Sequence, residues 1–451
     1  MGYDGFMSKG FRTFLFAFFL LLFAAAAPAI VFYAQGYRLD WPPESGKKLI
    51  VKTGGIFVKA HPKQTDIYIN GKLKKKTDFF FNSALVENLL PRQYQVEIKK
   101  SGYHAWSKTL EVKEKEVVEA SNIFLFPQNS KFSLIEQNIS GILPSSNGKE
   151  IILRQPGDAG WNIKMYDVGQ EVMVKLAEPK NFSAKDPTFK EWAWAKNEVL
   201  EITVGTETGG DIVYQIETGK IPAQITTKKT EAENAAANNG NGQTSSPRLA
   251  EQSMGQATYY LAEDGFVYKQ DLLQTTKIAN APLDIIPEVN YDLWIFDGNC
   301  FVAADSELFF FNEKTESWEK LVLQISSTPE ISPDGKKIAY CSNSEIWTLF
   351  LKDNANAPKA VFGDKIFIAR FSENVADCQW FNNDYLIFTA GDKIKTAEID
   401  NRGKINIADI AEISKITGQD QNGKTRMLFD SNKKTIYLFA NNTLYKSEPV
   451  E

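Results

Sequence analysis

From about residue 130 to the C-terminus the chain repeats one pattern: a turn holding Asp, Asn or Gly, an apolar strand, a polar gap, and a second apolar or aromatic strand. SSNGKEIILRQPGDAGWNIKMYDV and AKNEVLEITVGTETGGDIVYQIETGK are two copies. TYYLAEDGFVYKQDL, DGNCFVAADSELFFFNEKT, SPDGKKIAYCSNSEIWTLFL, NNDYLIFTAGDKIKTAEID and SNKKTIYLFANNTLYKSE continue the series. A hairpin of this kind cannot bury its own faces, so neighbouring copies must pack on one another. The span minus one insertion divides into roughly seven units of about 40–45 residues, the period of a propeller blade. Each visible hairpin then supplies the two middle strands of a four-stranded blade. QWFNNDYLIF and TPEISPDGKKIAY add the preceding inner strand and turn. Two successive sandwiches are the rival all-β reading, and persistence of the period to the C-terminus disfavours it.

The run SPDGKKIAY at 332 to 340 resembles the repeats of TolB-like propellers, whose blades carry a related S-P-D-G-x-x-I-A-Y. Other units follow it in outline, with Asn147-Gly148, Lys196-Asn197 or Asn383-Asp384 in place of Asp334-Gly335. Closing such a ring pairs the C-terminal segment 435 to 447 with a strand from about 131 to 136. Residues 226 to 256 hold almost no large apolar side chains, and the segment is read as a disordered insertion between units.

Residues 13 to 34, TFLFAFFLLLFAAAAPAIVFYA, form an uninterrupted apolar run. Roughly 20 helical residues cross a hydrocarbon core. The run exceeds the about 7–15 residues of a secretory h-region, so an uncleaved signal anchor is favoured over a cleaved peptide, although Ala24 to Ala29 offer small residues of the cleavage type. Lys9 and Arg12 precede it, which predicts a cytoplasmic N-terminus (1 to 12) and everything beyond Gly36 outside.

Residues 35 to 53 read as a stalk, with Pro42 and Pro43 excluding helix. From 54 to 127, GGIFVKAHP, TDIYINGK, QYQVEIKKSGY and SKTLEVKEKEVVEASNIFLF alternate apolar and polar residues, and Asn70-Gly71 marks a tight turn. The order IFVKAHP, DIYINGK, the run from Leu90-Pro91 through Tyr94, Val96 and Ile98, then Gly102-Tyr103 and Trp106, resembles the PEGA domain. Pro62-Lys63-Gln64-Thr65 keeps only the proline of the family's naming tetrapeptide, and Gln93 stands where a glycine is usual. The resemblance implies a small extracytoplasmic β-sandwich with a structural or binding role and no catalytic residues.

Composition offers little chemistry. The net charge of −5 over 451 residues carries no nucleic-acid signature. His61 and His104 both lie in the sandwich, away from any metal-ligand spacing, and the absence of histidine from the propeller removes a Ser-His-Asp triad there. No nucleophile elbow, C-x-x-C or P-loop is present, and Gly205 to Gly210 is too loose for a nucleotide fingerprint. Asp158, Asp211, Asp264, Asp305 and Asp392 fall in turns or gaps, where solvation explains them better than pairing across a glycosidase cleft. Cys300, Cys341 and Cys378 lie in apolar stretches, which favours buried unpaired thiols while leaving one disulfide open. Lys47, Lys48, Lys52, Lys59, Lys63, Lys72, Lys74, Lys75 and Lys76 form a basic stretch, read first as protection of a sheet edge and second as an attractor of anionic headgroups or wall polymers. Among the recurring tryptophans, Trp192, Trp194, Trp294, Trp318, Trp347 and Trp380 suit packing between blades, with Trp347 and Trp380 in the core, and Trp161 beside Gly157 and Gly160 is the candidate for exposure.

The expectation is an all-β protein: one N-terminal transmembrane helix, a PEGA-like sandwich, and a roughly seven-bladed propeller over 130 to 451. Its expected role is a non-enzymatic envelope module, without cofactor or metal, presenting the propeller to a protein, peptide or glycan. A propeller glycosidase and a passive spacer are the alternatives.

Overall fold

The computed structural model describes residues 9–41, 49–145, 147–158, 160–196, 198–207, 209–220, 223–227, 247–419 and 425–451. The chain divides into two compact units, Met1–Phe126 with Arg402–Asn406, and Pro127–Asn401 with Ile407–Glu451.

In the first unit the apolar run forms one helix, Lys9–Ala34, none of whose residues is buried. It is the one helix among the described residues long and apolar enough to cross a membrane. Its C-terminal end is tied to the sandwich. The Gly36 carbonyl accepts from the Thr53 amide at 2.8 Å and the Thr53 hydroxyl at 3.0 Å. Arg38 donates to Asn88 at 2.7 Å, and Arg92 meets Asp40. Tyr37–Leu39 pairs antiparallel with Ile50–Lys52, so the described ends of the 35 to 53 segment are a short ladder; Pro42, Pro43, Lys47 and Lys48 lie outside the described residues.

The sandwich packs two sheets. One orders Ser83–Leu89, Gly54–His61 and Val117–Phe124, the last two parallel. The other orders Lys72–Lys76, Asp66–Ile69, Gln93–Lys99 and Trp106–Glu111. Period-two alternation sends Ile56, Val58, Ile67, Ile69, Val96, Ile98 and Leu110 into one core between them. Asn70 and Gly71 both take positive φ, as the tight turn requires. Gly54 admits no side chain, because a Cβ there would lie 2.4 Å from the Lys113 carbonyl.

The second unit holds seven four-stranded antiparallel sheets, the blades of a propeller. Blade 1 is Gly141–Pro144, Glu150–Gly157, Gly160–Asp167 and Val172–Ala177; blade 2 is Thr188–Lys196, Val199–Gly205, Asp211–Glu217 and Gln224–Thr227. Blade 3 is Arg248–Met254, Ala257–Ala262, Val267–Gln270 and Thr275–Lys277; blade 4 is Tyr291–Phe296, Asn299–Ala304, Glu307–Asn312 and Ser317–Val322. Blade 5 is Glu330–Ile331, Lys337–Cys341, Glu345–Phe350 and Lys365–Arg370; blade 6 is Val375–Trp380, Tyr385–Ala390, Lys393–Glu398 and Ile407–Glu412. Blade 7 takes Arg426–Asp430, Thr435–Ala440 and Thr443–Ser447 from the C-terminus. Its outer strand, Phe132–Glu136, comes from the start of the propeller segment, with Ser133 opposite Lys446 (a separation of 313). The ring is thus closed by a ladder that joins the two ends of the propeller segment within one blade.

One turn network shows why the repeat survives changes of residue. In blade 5 Ser332 donates to Asp334, which accepts from the Lys336 amide, while the Lys337 amide donates to the Ser332 hydroxyl. In blade 1 Ser145, Asn147, Lys149 and Glu150 make the same bonds. Asn147 can replace Asp334 because both offer an oxygen at the same position, and Gly148 and Gly335 share φ +67°.

Between blades, polar side chains bond to backbone. Trp194 donates its indole N–H to Pro144 of the preceding blade at 3.0 Å, and Trp380 donates to Glu330 at 2.8 Å. Gln379 bridges to blade 7, donating to the Met427 carbonyl and accepting from the Phe429 amide. The cysteines depart from the unpaired expectation. Cys341 and Cys378 form a disulfide between blades 5 and 6, their Cα atoms 6.5 Å apart, and only Cys300 is a free, buried thiol. Cys341 ends the second strand of blade 5 and Cys378 lies on the first strand of blade 6, so it is the packing of neighbouring blades that brings them together. The insertion is also narrower than 226 to 256: Gln224–Thr227 and Arg248–Met254 are strands, and 228–246 lies outside the described residues.

Candidate ligand-binding face

Antiparallel blades put all links from an outer strand to the next inner strand on one face, together with the turns between the two middle strands. On that face, in the sector of blades 7, 1 and 2, lies a cleft of ≈790 Å³. Its walls include Arg154, Trp161, Phe182, Asp186, Pro187 and Phe189. A second hollow of ≈440 Å³ shares Ser140, Gln155 and Pro156 with it and extends to Asn138 and Asn442. Together they make one trough crossing from the blade 7 turn to the link between blades 1 and 2.

Aromatic packing builds the wall. The Trp161 ring lies 5.3 Å from Phe182 and 5.8 Å from Phe189, and Phe182 is 4.8 Å from Tyr214. Trp161 is therefore buried, at 8 % exposure, and donates to the Pro187 carbonyl at 3.2 Å. The expected exposed tryptophan is instead a wall of the trough, because the link 178–187 folds over it, and nothing local to Gly157 and Gly160 announces that cover. Arg154 is fixed over Phe189 at 4.4 Å and donates to the Ser140 hydroxyl at 3.0 Å. Gln155 donates to Glu136, which also meets Lys164 at 3.3 Å. Burial would raise the Glu136 carboxyl, but the bonds from Gln155 and Lys164 outweigh it and hold it below the usual range.

The carboxylates singled out in the sequence are not brought together in this trough. Asp158, Asp211, Asp264, Asp305 and Asp392 are all exposed. Asp264 accepts from the Tyr268 hydroxyl at 2.6 Å, Asp305 from the Asn290 amide, and Asp392 from the Ser414 amide beside the helix Ile413–Thr417. Among the described residues the trough wall carries one carboxylate, Asp186. Among the described residues three acids have raised carboxyls, all of them elsewhere. Burial pushes Glu330, on the inner strand of blade 5, up to about 7. Burial also raises Asp377, against the Met427 amide and Arg426, and raises Glu150, against the Thr218 hydroxyl. TPEIS around Glu330 reads like any turn approach, since only the closed ring removes water from it.

Among the described residues no group of three His, Cys, Asp or Glu side chains is placed to hold a metal ion. His61 stacks on Phe124 and lies 3.1 Å from the Asn82 amide nitrogen. The His104 amide donates to the Phe126 carbonyl. The recurring tryptophans serve packing: Trp380 is buried, Trp347 is half-buried and packs on Phe367, and Trp318 donates to the Ala281 carbonyl across the blade 3–4 link.

Comparison with known proteins adds one family. Residues 53–124 match the PEGA domain. No curated protein matches the chain. Among solved structures it is similar to "YCF48 bound to D1 peptide", with 10 % identity over 71 % of this chain and 96 % of that one, at a TM-score of 0.38. It is similar also to "YCF48 from Cyanidioschyzon merolae", with 10 % identity over 70 % of this chain and 98 % of that one, at 0.38.

Proposed function

We propose that the chain is a membrane-anchored envelope protein whose propeller binds a protein, peptide or glycan without transforming it. The observation that carries this is the trough, a concave site of ligand size with fixed aromatic and amide walls and, among the described residues, a single carboxylate. Hydrolysis of a glycan by paired acids needs two carboxyls about 5–10 Å apart, and Asp186 has no such companion in the described wall. No observation favours the glycosidase, and nucleic acid is disfavoured by the net charge of −5.

In this reading the helix Lys9–Ala34 is the uncleaved anchor, with the N-terminus cytoplasmic and residues beyond Gly36 outside. The inter-blade disulfide supports an oxidising compartment, since such bonds are rare where thiols are kept reduced. A reporter active only outside the cytoplasm, fused after Glu451, is expected to be active; activity of a cytoplasm-only reporter refutes the topology. A photo-crosslinking amino acid at Lys180, an exposed residue of the trough rim, is expected to capture a partner in intact cells, and the same residue placed at exposed Leu272 is not. Turnover of a glycan lost on Asp186→Asn would overturn the non-enzymatic reading.

A further inference from the structure

The sandwich carries an exposed apolar feature that neither the propeller nor the trough explains. Between Lys72–Lys76 and Ser83–Leu89 the chain turns through Thr77-Asp78-Phe79-Phe80-Phe81-Asn82, and the three phenylalanines are 57 %, 81 % and 75 % exposed. A floppy loop would fold such rings away. This one is built to hold them out. The Asp78 carboxylate accepts from the Phe81 amide, the Ser83 amide at 3.2 Å and the Ser83 hydroxyl at 3.1 Å. Thr65 and Thr77, both buried, bond to each other at the base of the loop. Phe79 and Phe80 meet edge to face at 5.6 Å, and Phe80 and Phe81 are the most exposed rings of the loop.

The surroundings are cationic. Lys63 sits over the Phe79 ring at 4.8 Å, Lys100 donates to the Lys63 carbonyl, and Lys75 donates to the Leu85 carbonyl, so none of these three is neutralised by a carboxylate in those contacts. Asp66 is paired with Lys76 at 3.2 Å, and Asp78 is taken up by the turn. Protection of the edge strand accounts for lysines along Lys72–Lys76, all exposed, but not for three phenylalanines displayed beside them. Protruding aromatic rings with Lys63 against one of them, and with Lys75 and Lys100 in the adjoining segments, match the chemistry of an anionic bilayer surface, where rings enter the headgroup–acyl boundary and ammonium groups meet phosphate.

We propose that the Phe79–Phe81 tip is a second membrane contact, inserting into an anionic bilayer while Lys63, Lys75 and Lys100 face its headgroups. The proposal rests on reading Lys9–Ala34 as the anchor. The anchor joins the sandwich at the Gly54–Leu89 end, and the tip precedes Ser83, paired with Lys59 about 17 Å further along the same strand. Two such contacts at opposite ends lay the sandwich along the surface, where a single helix would leave it free to swivel.

The test uses the full chain in lipid nanodiscs, either wholly zwitterionic or containing anionic phosphatidylglycerol, with brominated acyl chains as quenchers. Phe80→Trp places a reporter at an exposed position, read as the difference from the parent chain; Phe18→Trp reports on the helix. Expected are a blue shift and bromine quenching of the residue-80 signal in anionic discs, both largely lost in zwitterionic discs and on replacing Lys63, Lys75 and Lys100 by glutamine. A residue-80 signal that stays solvent-exposed in anionic discs, or is quenched equally in both, overturns the proposal. If residue 18 is quenched and residue 80 is not, only the second contact fails. If neither is quenched, the anchor reading fails with it.

Discussion

Replacing Leu444 by alanine tests the closure of the ring. Leu444 lies in the strand Thr443–Ser447, which pairs with Thr435–Ala440 on one side and with Phe132–Glu136 on the other. Its side chain is 0 % exposed and packs among Ile139, Ile151, Leu153, Tyr166, Val168, Tyr437 and Phe439. Those neighbours come from blade 7, blade 1 and the link between them, so the residue fills the seam where the two ends of the propeller chain meet. Truncating a fully buried leucine costs about 2–5 kcal/mol, the lost transfer free energy plus the cavity left behind. Taking ~3 kcal/mol, and about 2 °C per kcal/mol for a large domain, the propeller transition should fall by ~6 °C. Calorimetry of the full chain in detergent would read this beside Leu272→Ala, whose side chain is 83 % exposed and whose effect should stay within about 0.5 kcal/mol. Direct evidence of register comes from Ser133→Cys with Lys446→Cys: these residues face each other, so oxidation should link positions 133 and 446. A Leu444→Ala shift no larger than the control, with no such cross-link, would refute the closure.

Three other perturbations have expected outcomes. Replacing Cys341 and Cys378 by alanine should lower stability by up to about 4 kcal/mol on loop entropy for a 37-residue separation, and in the parent both should resist thiol labelling until reduced. Glu330 has a folded value of about 7, above its unfolded one, so the folded chain holds the extra proton; stability is fully present below the unfolded value and falls as pH rises to about 7. Glu330→Gln should flatten that dependence in urea titrations between pH 4 and 8, raising stability relative to the parent mainly at pH 8; parallel profiles would argue against a desolvated carboxyl. Deleting residues 229 to 246, polar between two blade strands, should leave the propeller transition within a few degrees, since that composition has little apolar surface to bury, and a larger fall would show that it packs.

The sandwich tip shows a limit of reading by composition. The lysines from 59 to 76 stand out in the sequence, and an edge strand explains most of them. Three adjacent aromatics, Phe79 to Phe81, carry in the sequence no sign of which side they face. Asp78 and Thr77 decide that, through bonds visible only once the loop is folded. The trough is similar: Trp161 reads as exposed because its neighbours are glycines, yet the link 178–187, further along the chain, covers it.

Periodic features are legible without coordinates because they repeat locally. The helix declares itself by an unbroken apolar run, the sandwich and blades by period-two alternation, and all seven sequence repeats are the middle strands of their blades. Even ring closure can be had by counting, since seven hairpins leave one strand short at the C-terminus and one spare near residue 132. Tertiary structure alone decided the Cys341–Cys378 bond, the burial that raises Glu330 and the lining of the trough. Each depends on which segments, tens to hundreds of residues apart, become neighbours when the ring closes, and local sequence records the strands but not the distances between them.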